Sequence, residues 1–236
     1  MKKRFESPQC ETCGSRENSI LCDLSHAGVL QIDGSKNTNS YKRGQIIFYE
    51  GNRPSGLFCI FKGKVKIYKS SESGREHIVR LAKNGDVLGY RALLSGELYS
   101  ATAEALEETV LCHIPQATFL QILAEDHQLM NRLMQLLTHD LREAEERMVE
   151  LSQMPVRERL AQTLLMLNST FGTAEDGATL DIQLTREDLA NIVGTATESC
   201  IRLLSEFRKE GLVQLNGKKI AITDKTALIR LANVVD

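Results

Sequence analysis

The C-terminal part of the chain contains the stretch that decides the fold, "LTREDLANIVGTATESCIRLLSEFRKEGLV" at residues 184–213. Thr185 and Asp188 are three positions apart, the spacing of an approximate capping box at the start of the helix "REDLANIV". Gly194 predicts a tight turn into a second helix, "TESCIRLLSEFRK". The following "LVQLNGKKIAIT" has two alternating strands around an Asn-Gly pair, which is a strong hairpin signal. This order of elements predicts a winged helix-turn-helix.

The second helix has one apolar and one polar face. Its apolar residues follow a three-four-three pattern and form the expected buried side: Cys200, Leu203, Leu204 and Phe207. Glu198 and Arg202 lie four positions apart on the opposite side, near the end of the helix that contacts base edges in a major groove. Arginine can bind O6 and N7 of guanine, and a carboxylate can accept from the amino group of cytosine. An ordinary ion pair on a solvated helix is the other interpretation of this pair.

The turn before this pair and the wing after it favour DNA reading. The candidate residues on the exposed face of the helix are Thr197, Glu198, Ile201, Arg202 and Ser205. Contacts to backbone phosphates are expected from residues that would otherwise be solvated surface cations: Arg208, Lys209, Lys218 and Lys219. The formal net charge of -2 gives no global sign of a nucleic-acid partner, so the cations that bind DNA must be gathered on one local surface.

Residues 125–153 contain no glycine or proline and have apolar residues at helical spacing. Steps of three and four positions define a heptad seam, which is typical of a helix that pairs with a second copy of itself. The seam is the expected dimer interface: Met130, Met134, Leu137, Leu141, Ala144, Met148 and Leu151. A second, shorter stripe of Leu129, Leu133 and Leu136 suits packing on the chain's own β domain. The alternative is one amphipathic helix on a single core.

Residues 41–124 read as many short strands. Runs such as "QIIFYE", "GLFCIFKG", "KVKIYKS" and "EHIVRLA" mix β-branched and aromatic residues with polar ones, and glycines separate them. This pattern is typical of a β-sandwich or jelly roll. The expected fold class is therefore α+β, with an N-terminal β-roll, a long dimerisation helix and a C-terminal winged helix-turn-helix. The expected domains are a cysteine-containing segment, the β-roll, the dimerisation helix and the DNA-binding domain, at 1–27, 28–124, 125–153 and 154–236.

The chain of 236 residues has room for two domains, and its composition is that of an ordinary globular protein. Its basic first residues are followed by "FESP" and not by an apolar run, so we expect no signal peptide. No stretch is long and apolar enough to suggest a membrane span. The expected location is the cytoplasm, where thiols stay reduced and clustered cysteines indicate metal or redox chemistry.

The segment "CETCGSRENSILC" places three cysteines, Cys10, Cys13 and Cys22, within thirteen positions. A Cys-x-x-Cys pair followed by a more distant cysteine is a common source of three thiolates for an iron–sulfur cluster. A zinc site completed by His26 or His113 is a second interpretation. A thiol switch without metal and a purely structural role are the others.

The β-roll, the long helix and the winged helix together resemble the CRP/FNR family of bacterial transcription regulators over residues 28–236. The stretch 184–213 is similar to that family's DNA-binding segment over its whole length, and Glu198 and Arg202 stand where its base-reading Glu and Arg belong. Ile201 departs from the small or polar residue that members often have there. The resemblance implies a homodimer that binds double-stranded DNA at palindromes with TTGA-like or GTGA-like half-sites, and RNA polymerase as a further partner.

Members of this family that bind cyclic nucleotides carry Gly-Glu-Leu and then Arg-Ser or Arg-Thr, in which the Glu holds the ribose and the Arg the cyclic phosphate. The matching stretch is "LGYRALLSGELYSATAEA". Tyr90 takes the place of the Glu and Tyr99 that of the Arg, while Arg91 is one position out of phase. Without the guanidinium the strongest available contact to a phosphate is lost. The resemblance therefore argues against a cyclic nucleotide as the effector.

"EALEETVLCHIP" resembles the segment that carries the fourth cluster ligand in the oxygen-sensing FNR branch of the family. The resemblance implies a [4Fe–4S] cluster held by Cys10, Cys13, Cys22 and Cys112, and a regulator that senses oxygen or redox state. Two departures weigh on this assignment. Eight residues separate the second and third cysteines, more than in that branch, and Cys112 lies in an alternating strand pattern that also suits a small core residue.

The sequence leaves room for two other functions. The first keeps the DNA-binding part and gives the β-roll a different small effector or none, with the cysteines structural, zinc-bound or a thiol switch. The second is an enzyme that uses His113 or His139 with a cysteine, but no Ser/Cys–His–Asp pattern is recognisable. We therefore expect that the protein is not an enzyme.

Overall fold

The computed structural model describes residues 7–72 and 74–232, and the basic start of the chain at residues 1–6 lies outside the described residues. Contacts between residues divide the chain into two compact units. The first unit holds the part through Gly74 together with Val79–Asp140, and the second holds Arg75–Ile78 and the part from Leu141 onward. Within the described residues, no helix is both long and apolar enough to cross a lipid bilayer.

A β-roll of two four-stranded sheets forms the centre of the first unit. Its strands are β1 (Asn37–Tyr41), β2 (Ile46–Phe48), β3 (Gly56–Lys62), β4 (Val65–Ser70), β5 (Glu76–Ala82), β6 (Val87–Leu88), β7 (Thr102–Ala105) and β8 (Thr109–Pro115). One sheet has the order β1-β8-β3-β6 and the other the order β2-β7-β4-β5. The pairs β1–β8, β3–β8, β3–β6, β2–β7 and β4–β7 are antiparallel, and the four strand runs predicted from the sequence correspond to β2, β3, β4 and β5.

The two sheets enclose an apolar interior. Most of its buried members come from strands of both sheets and from the loop before β7: Phe58, Ile60, Val65, Ala82, Leu88, Tyr99, Ala103 and Leu111. Because successive side chains of a strand point to opposite faces, the neighbours of these residues in β3 and β8 point outward. The outer face of the first sheet therefore carries Leu57, Cys59, Cys112 and Ile114, and a second core forms on it.

Helices cover this outer face. In chain order the helices of the first unit are α1 (Gly14–Glu17), α2 (His26–Ser35), α3 (Tyr90–Ser95) and α4 (Gln116–Glu125), followed by α5 (His127–Gln153), which continues into the second unit. Buried residues of α2, α4 and α5 share one cluster with the sheet: Val29, Ile32, Phe119, Ile122, Leu123, Leu129 and Leu133. Burying each larger side chain stabilises the fold by about 1.5–3 kcal/mol.

The expected run of strands up to residue 124 is wrong at its C-terminal end, because Gln116–Glu125 form the helix α4. Phe119, Ile122 and Leu123 are its buried residues, and their spacing of three and then one position places them on a single helical face. Asp126 ends α4, and its carboxylate accepts hydrogen bonds from the backbone N–H groups of Gln128 and Leu129 at the start of α5.

Helix α5 has two differently exposed faces, as the sequence predicted. Leu129 and Leu133 are fully buried against the first unit, and Leu136 packs beside them. The seam residues Met134, Leu141 and Met148 are 56, 61 and 63% exposed in the single chain. An apolar row that remains in water on one protomer favours pairing with another surface.

The second unit is a winged helix-turn-helix, which confirms the predicted fold. It contains α6 (Val156–Phe171), α7 (Arg186–Val193), α8 (Thr197–Lys209), the strands β9 (Val213–Asn216) and β10 (Lys219–Ile222), and α9 (Lys225–Leu231). Strands β9 and β10 form the antiparallel hairpin that the Asn-Gly pair predicted. Gly172, with a φ of 73°, ends α6.

Candidate DNA-binding surface and cysteine cavity

Helices α7 and α8 are joined by the turn that the sequence predicted. The capping box is present, since the Thr185 side chain accepts from the backbone of Asp188 and the Asp188 carboxylate accepts from the backbone of Thr185. Gly194 ends α7 with a φ of 71°, a left-handed conformation that favours glycine. Cys200, Leu203, Leu204 and Phe207 are buried, so the opposite face of α8 is turned outward.

The outward face of α8 presents the predicted base-reading residues to solvent. Glu198, Ile201 and Arg202 are exposed, and Thr197 and Ser205 are half-buried. The structure does not show the ion pair between Glu198 and Arg202 that the alternative interpretation required. Arg202 Nη1 instead lies 2.9 Å from Glu206 Oε1, one turn further on. A surface pair of this kind contributes at most about 1 kcal/mol, so Arg202 can exchange it for a ligand at little cost.

The wing and the end of α8 carry the cations that the sequence analysis expected to contact phosphates. Arg208, Lys209, Lys218 and Lys219 are all exposed. Arg186 Nη2 donates to the carbonyl of Gly217 over 2.8 Å and so ties the start of α7 to the hairpin turn. Lys218 follows directly in that turn. The cations at the wing are therefore held at a defined place relative to α7, which suits contacts to a regular phosphate backbone.

A separate candidate site lies in the first unit, where an apolar cavity of about 40 Å³ lies between the N-terminal segment and the first sheet. Four cysteines line it: Cys10, Cys13, Cys59 and Cys112. The rest of its wall is largely apolar and includes Leu24, Val29, Ile32, Ile60 and Ile114. The structure thus brings together three of the four predicted metal ligands and adds one cysteine that sequence reasoning missed.

Cys59 and Cys112 are neighbours across two strands. They stand directly opposite each other in the antiparallel pair β3 and β8. Side chains of opposed residues lie on the same face of a sheet, about 4.5–5.5 Å apart at Cβ. The one signal in the sequence is that "GLFCIFKG" carries Cys59 in alternation with Leu57, but the pairing of β3 with β8 cannot be read from either strand alone.

The N-terminal segment is fastened over these strands by polar contacts. Ser15 Oγ donates to the carbonyl of Phe61 on β3 over 2.6 Å. Arg16 donates to the carbonyls of Cys10 and Cys22 at 2.9 and 2.8 Å, which closes the segment into a loop. The backbone N–H of Cys10 donates to Asp33 Oδ1 over 3.0 Å, so the segment is also tied to α2.

The apolar wall keeps three of the thiols protonated. Burial raises the pKa of Cys10 to about 11, although Lys36 Nζ, 3.0 Å from its sulfur, acts in the opposite direction. Burial also raises the pKa of Cys59 well above its usual value, and the nearby sulfurs of Cys112, Cys10 and Cys13 add to this. The pKa of Cys112 is raised by burial as well. A cation bound here would therefore displace protons.

Cys22, the third N-terminal ligand in the prediction, lies outside this cavity. Its thiol donates to Asp23 Oδ2 over 3.3 Å, and Arg132 Nη1 of α5 lies 3.6 Å from its sulfur. The reason is the packing of the adjacent Leu21 and of Leu24, which are 5 and 8% exposed and belong to the core. Turning Cys22 inward would disturb these side chains, each of which contributes about 1.5–3 kcal/mol by its burial.

The histidines proposed to complete a zinc site are also elsewhere. His26 Nε2 lies 2.9 Å from Glu11 Oε1 on the exposed side of the segment. The His113 ring lies against Phe58, with 4.7 Å between centroids, on the other face of the sheet. Neither lines the cavity. Within residues 7–72 and 74–232, three metal-binding atoms lie within 4.8 Å of one another only at His139, Asp140 and Glu143.

The β-roll interior, where a nucleotide would be expected, is filled by aromatic side chains. Tyr99 is buried and stacks on Phe48 with 4.0 Å between ring centroids. Tyr90 is also buried, and its hydroxyl donates to the carboxylate of Asp140 on α5. Arg91 Nη2 donates to the same carboxylate over 2.7 Å. The side chains at the family's nucleotide-binding positions are therefore occupied with contacts inside the protein.

Comparison with known protein families assigns a domain family to each half of the chain. Residues 38–126 match the family model of the cyclic nucleotide-binding domain, and residues 158–231 match the Crp-like helix-turn-helix domain. The chain belongs to the CRP/FNR family of transcription regulators and is not an enzyme.

Individual relatives agree with this family. The chain is 29% identical over 227 residues to the fumarate and nitrate reduction regulatory protein of Escherichia coli K12, covering 94% of this chain and 90% of that protein. It is 28% identical over 225 residues to the anaerobic regulatory protein of Pasteurella multocida, covering 94% and 82%. A CRP/FNR-family transcriptional regulator from Thermus thermophilus, TTHA1359, has a TM-score of 0.71 at 27% identity over 84% of this chain and 98% of that one. FixK2 from Bradyrhizobium japonicum shares the fold, with a TM-score of 0.76 at 24% identity over 85% and 99%.

Proposed function

We propose that this regulator is a cytoplasmic homodimer that binds palindromic DNA and senses oxygen or redox state through an iron–sulfur cluster, [4Fe–4S], held by its cysteines. The observation that carries the proposal is the cavity lined by Cys10, Cys13 and Cys112. These three residues come from a loop and from a strand about a hundred positions later, so the fold brings together cysteines that are distant in the sequence. The names of the anaerobic and fumarate and nitrate regulatory relatives support the same sensing role.

The donor set at the cavity fits a cluster better than a single zinc ion. A tetrahedral zinc site with Zn–S bonds of about 2.3 Å requires sulfurs about 3.8 Å apart. In the described part of the chain no three cysteine sulfurs lie within 4.8 Å of one another, so the thiols are not placed for a single tetrahedral ion. Four thiolates around a larger group are the ligands of a [4Fe–4S] cluster, which when bound supplies reversible sensitivity to oxygen and redox state.

The walls of the cavity indicate which part of the protein responds. One wall is formed by the strands β3 and β8, whose backbones are paired with each other, and the other by the N-terminal segment. A bound group that needs more space is therefore accommodated by the part of the segment around α1. Helix α1 has no buried residues and is held by polar contacts, so α1 can move while Leu21 and Leu24 stay in the core.

A movement of this segment would act on the dimerisation helix. Arg132 of α5 pairs with the carboxylate of Asp23, the residue after Cys22. Leu129 and Leu133, on either side of Arg132 along α5, anchor the helix in the same core as Leu21 and Leu24. The state of the cysteines is thus linked to α5 by an ion pair and by shared packing, and α5 carries the exposed seam through which we propose that two protomers associate.

DNA recognition in this proposal uses the exposed face of α8. Arg202 contacts a guanine and Glu198 a cytosine amino group of each TTGA-like or GTGA-like half-site, and Thr197, Ile201 and Ser205 lie along the same face. Arg208, Lys218 and Lys219 bind phosphates and fix the register. RNA polymerase is the expected partner of the DNA-bound dimer.

The test of this function is reconstitution without oxygen. Purified full-length protein is incubated anaerobically with ferrous iron and sulfide, and iron and sulfide are counted per chain with the visible absorption spectrum. Binding to a TTGA palindrome and to a scrambled duplex is then measured before and after exposure to air. We expect a brown protein that bleaches in air and changes its DNA affinity as it does so. A colourless protein, or one whose DNA affinity is the same in both states, would contradict the proposal.

A further inference from the structure

Cys59 is the cysteine of the cavity that no motif in the sequence indicated. It lies on β3 opposite Cys112 on β8, and both side chains face the N-terminal segment that holds Cys10 and Cys13. The cavity therefore has two cysteines on the rigid sheet and two on the loop that covers it. This arrangement by itself provides four thiols around one space.

The fifth cysteine of this unit, Cys22, is turned to the opposite side of its segment. It lies beside Asp23 and Arg132 on the surface side of Leu21, and Leu21 itself lines the cavity. The carbonyls of Leu21 and Cys22 both accept hydrogen bonds from Arg16, which fixes the backbone in this orientation. The cavity is therefore lined by the thiol of Cys59 on β3 and not by that of Cys22.

We propose that Cys59, and not Cys22, supplies the fourth thiolate of the metal site together with Cys10, Cys13 and Cys112. This inference rests on the proposed function, since it concerns which side chains hold the cluster. Its physical basis is that ligands on neighbouring strands are held in place by the backbone ladder, so two of the four sulfurs are positioned before any metal binds.

Cys22 then has a different role. With its sulfur next to the Asp23–Arg132 ion pair, it lies at the contact between the segment and α5. In this proposal Cys22 does not bind the metal when the cluster is present. Its rate of alkylation depends on the position of the N-terminal segment relative to α5. The ordinary alternative for Cys59 is a small apolar core residue, in which case its loss would leave metal binding unchanged.

Single substitutions in the full chain separate these possibilities. The variants are Cys59→Ala, Cys22→Ala and Cys112→Ala, with Cys200→Ala as a matched control for loss of a buried cysteine in the other unit. Each is reconstituted anaerobically with ferrous iron and sulfide, and iron and sulfide are counted per chain. We expect Cys59→Ala and Cys112→Ala to bind less than a quarter of the wild-type iron, and Cys22→Ala and Cys200→Ala to bind the wild-type amount. A urea unfolding curve for each variant shows that it is folded.

A second measurement uses the wild-type chain and does not depend on the folding of a variant. Loaded and empty protein are treated with iodoacetamide without oxygen, and the modification of each cysteine is followed by mass spectrometry. We expect protection of Cys10 and Cys13 on loading and an unprotected Cys22. Full loading of Cys59→Ala, loss of iron in Cys22→Ala, or protection of Cys22 would overturn the assignment while leaving a cluster in place. Absence of iron and sulfide from the wild-type protein would instead remove the proposed function and this inference together.

Discussion

Replacement of Asp140 tests the least expected feature of the first unit, a buried carboxylate on the dimerisation helix. Its side chain is 6% exposed and accepts hydrogen bonds from the Tyr90 hydroxyl and from Arg91 Nη2, with Arg80 Nη1 3.9 Å away. Asp140→Ala removes the acceptor and leaves the buried Tyr90 hydroxyl without it.

The expected magnitude follows from these contacts. Breaking a buried ion pair costs about 3–5 kcal/mol. The Arg91 side chain is 52% exposed and can be rehydrated, so we reduce this to about 2–4 kcal/mol for Asp140→Ala. Asp140→Asn keeps one acceptor oxygen and should cost about half as much. Glu145→Ala, an exposed acid on the same helix, should change the free energy of unfolding by no more than about 0.5 kcal/mol.

The pH dependence provides a second readout. Burial alone would raise the pKa of Asp140, but the Tyr90 hydrogen bond and the charges of Arg80 and Arg91 outweigh it and leave the pKa below its ordinary value of 3.8. A carboxyl with a depressed pKa stabilises the folded state above its unfolded pKa and loses this contribution as the pH falls through the folded pKa. The difference between wild type and Asp140→Asn should therefore be full at pH 7 and shrink below about pH 4.

The assay is urea unfolding followed by circular dichroism, because the chain has no tryptophan. It is repeated from pH 7 down to pH 3 on wild type, the two Asp140 variants and the Glu145 control. A loss for Asp140→Ala no larger than that of Glu145→Ala would refute the account of the buried network. A difference between wild type and Asp140→Asn that grows toward acid pH would refute the sign of the pKa argument.

The remaining predictions concern the second unit and the seam. Arg202→Ala should weaken binding to a TTGA palindrome by about 1–3 kcal/mol and leave binding to a scrambled duplex unchanged, whereas Lys218→Ala should weaken binding to both duplexes equally and lower the salt dependence. Fluorescence anisotropy at several salt concentrations measures both effects, and an unchanged preference of Arg202→Ala for the palindrome over the scrambled duplex would contradict the prediction. The wild-type protein without a bound metal should sediment as a dimer at micromolar concentration. Leu141→Glu should sediment as a monomer, because it places a charge in the apolar seam of α5. A monomeric wild-type protein would contradict the proposed dimer interface. Gly194→Ala should lower the free energy of unfolding of the second unit in urea by more than about 1 kcal/mol, because φ at this position is 71° and the new Cβ would lie 2.6 Å from Leu151 Cδ2. An unchanged free energy of unfolding would show that the turn accepts the methyl group without strain.

Local signals in the sequence were enough for the architecture. The capping box at Thr185, the glycine turn at Gly194 and the Asn-Gly hairpin act over a few residues, so they could be read without knowledge of the rest of the chain. The helical periodicity of α5 likewise separated the buried Leu129 and Leu133 from the exposed Met134, Leu141 and Met148, although Leu137 of the predicted seam packs on the buried core. Helix α4 was missed because a short apolar run of ten residues can belong to either a helix or a strand.

The composition of the cysteine cavity was decided only by tertiary structure. The sequence placed Cys22 beside Cys10 and Cys13, since proximity along the chain was the only measure available. The register of β3 against β8 brings Cys59 opposite Cys112 from 53 positions away, and the burial of Leu21 turns Cys22 outward. The same holds for Asp140, which reads as an ordinary surface acid until Tyr90 and Arg91 are folded against it. Pairing between distant segments depends on long-range register and packing, and these are settled by the whole fold and not by the residues on either side.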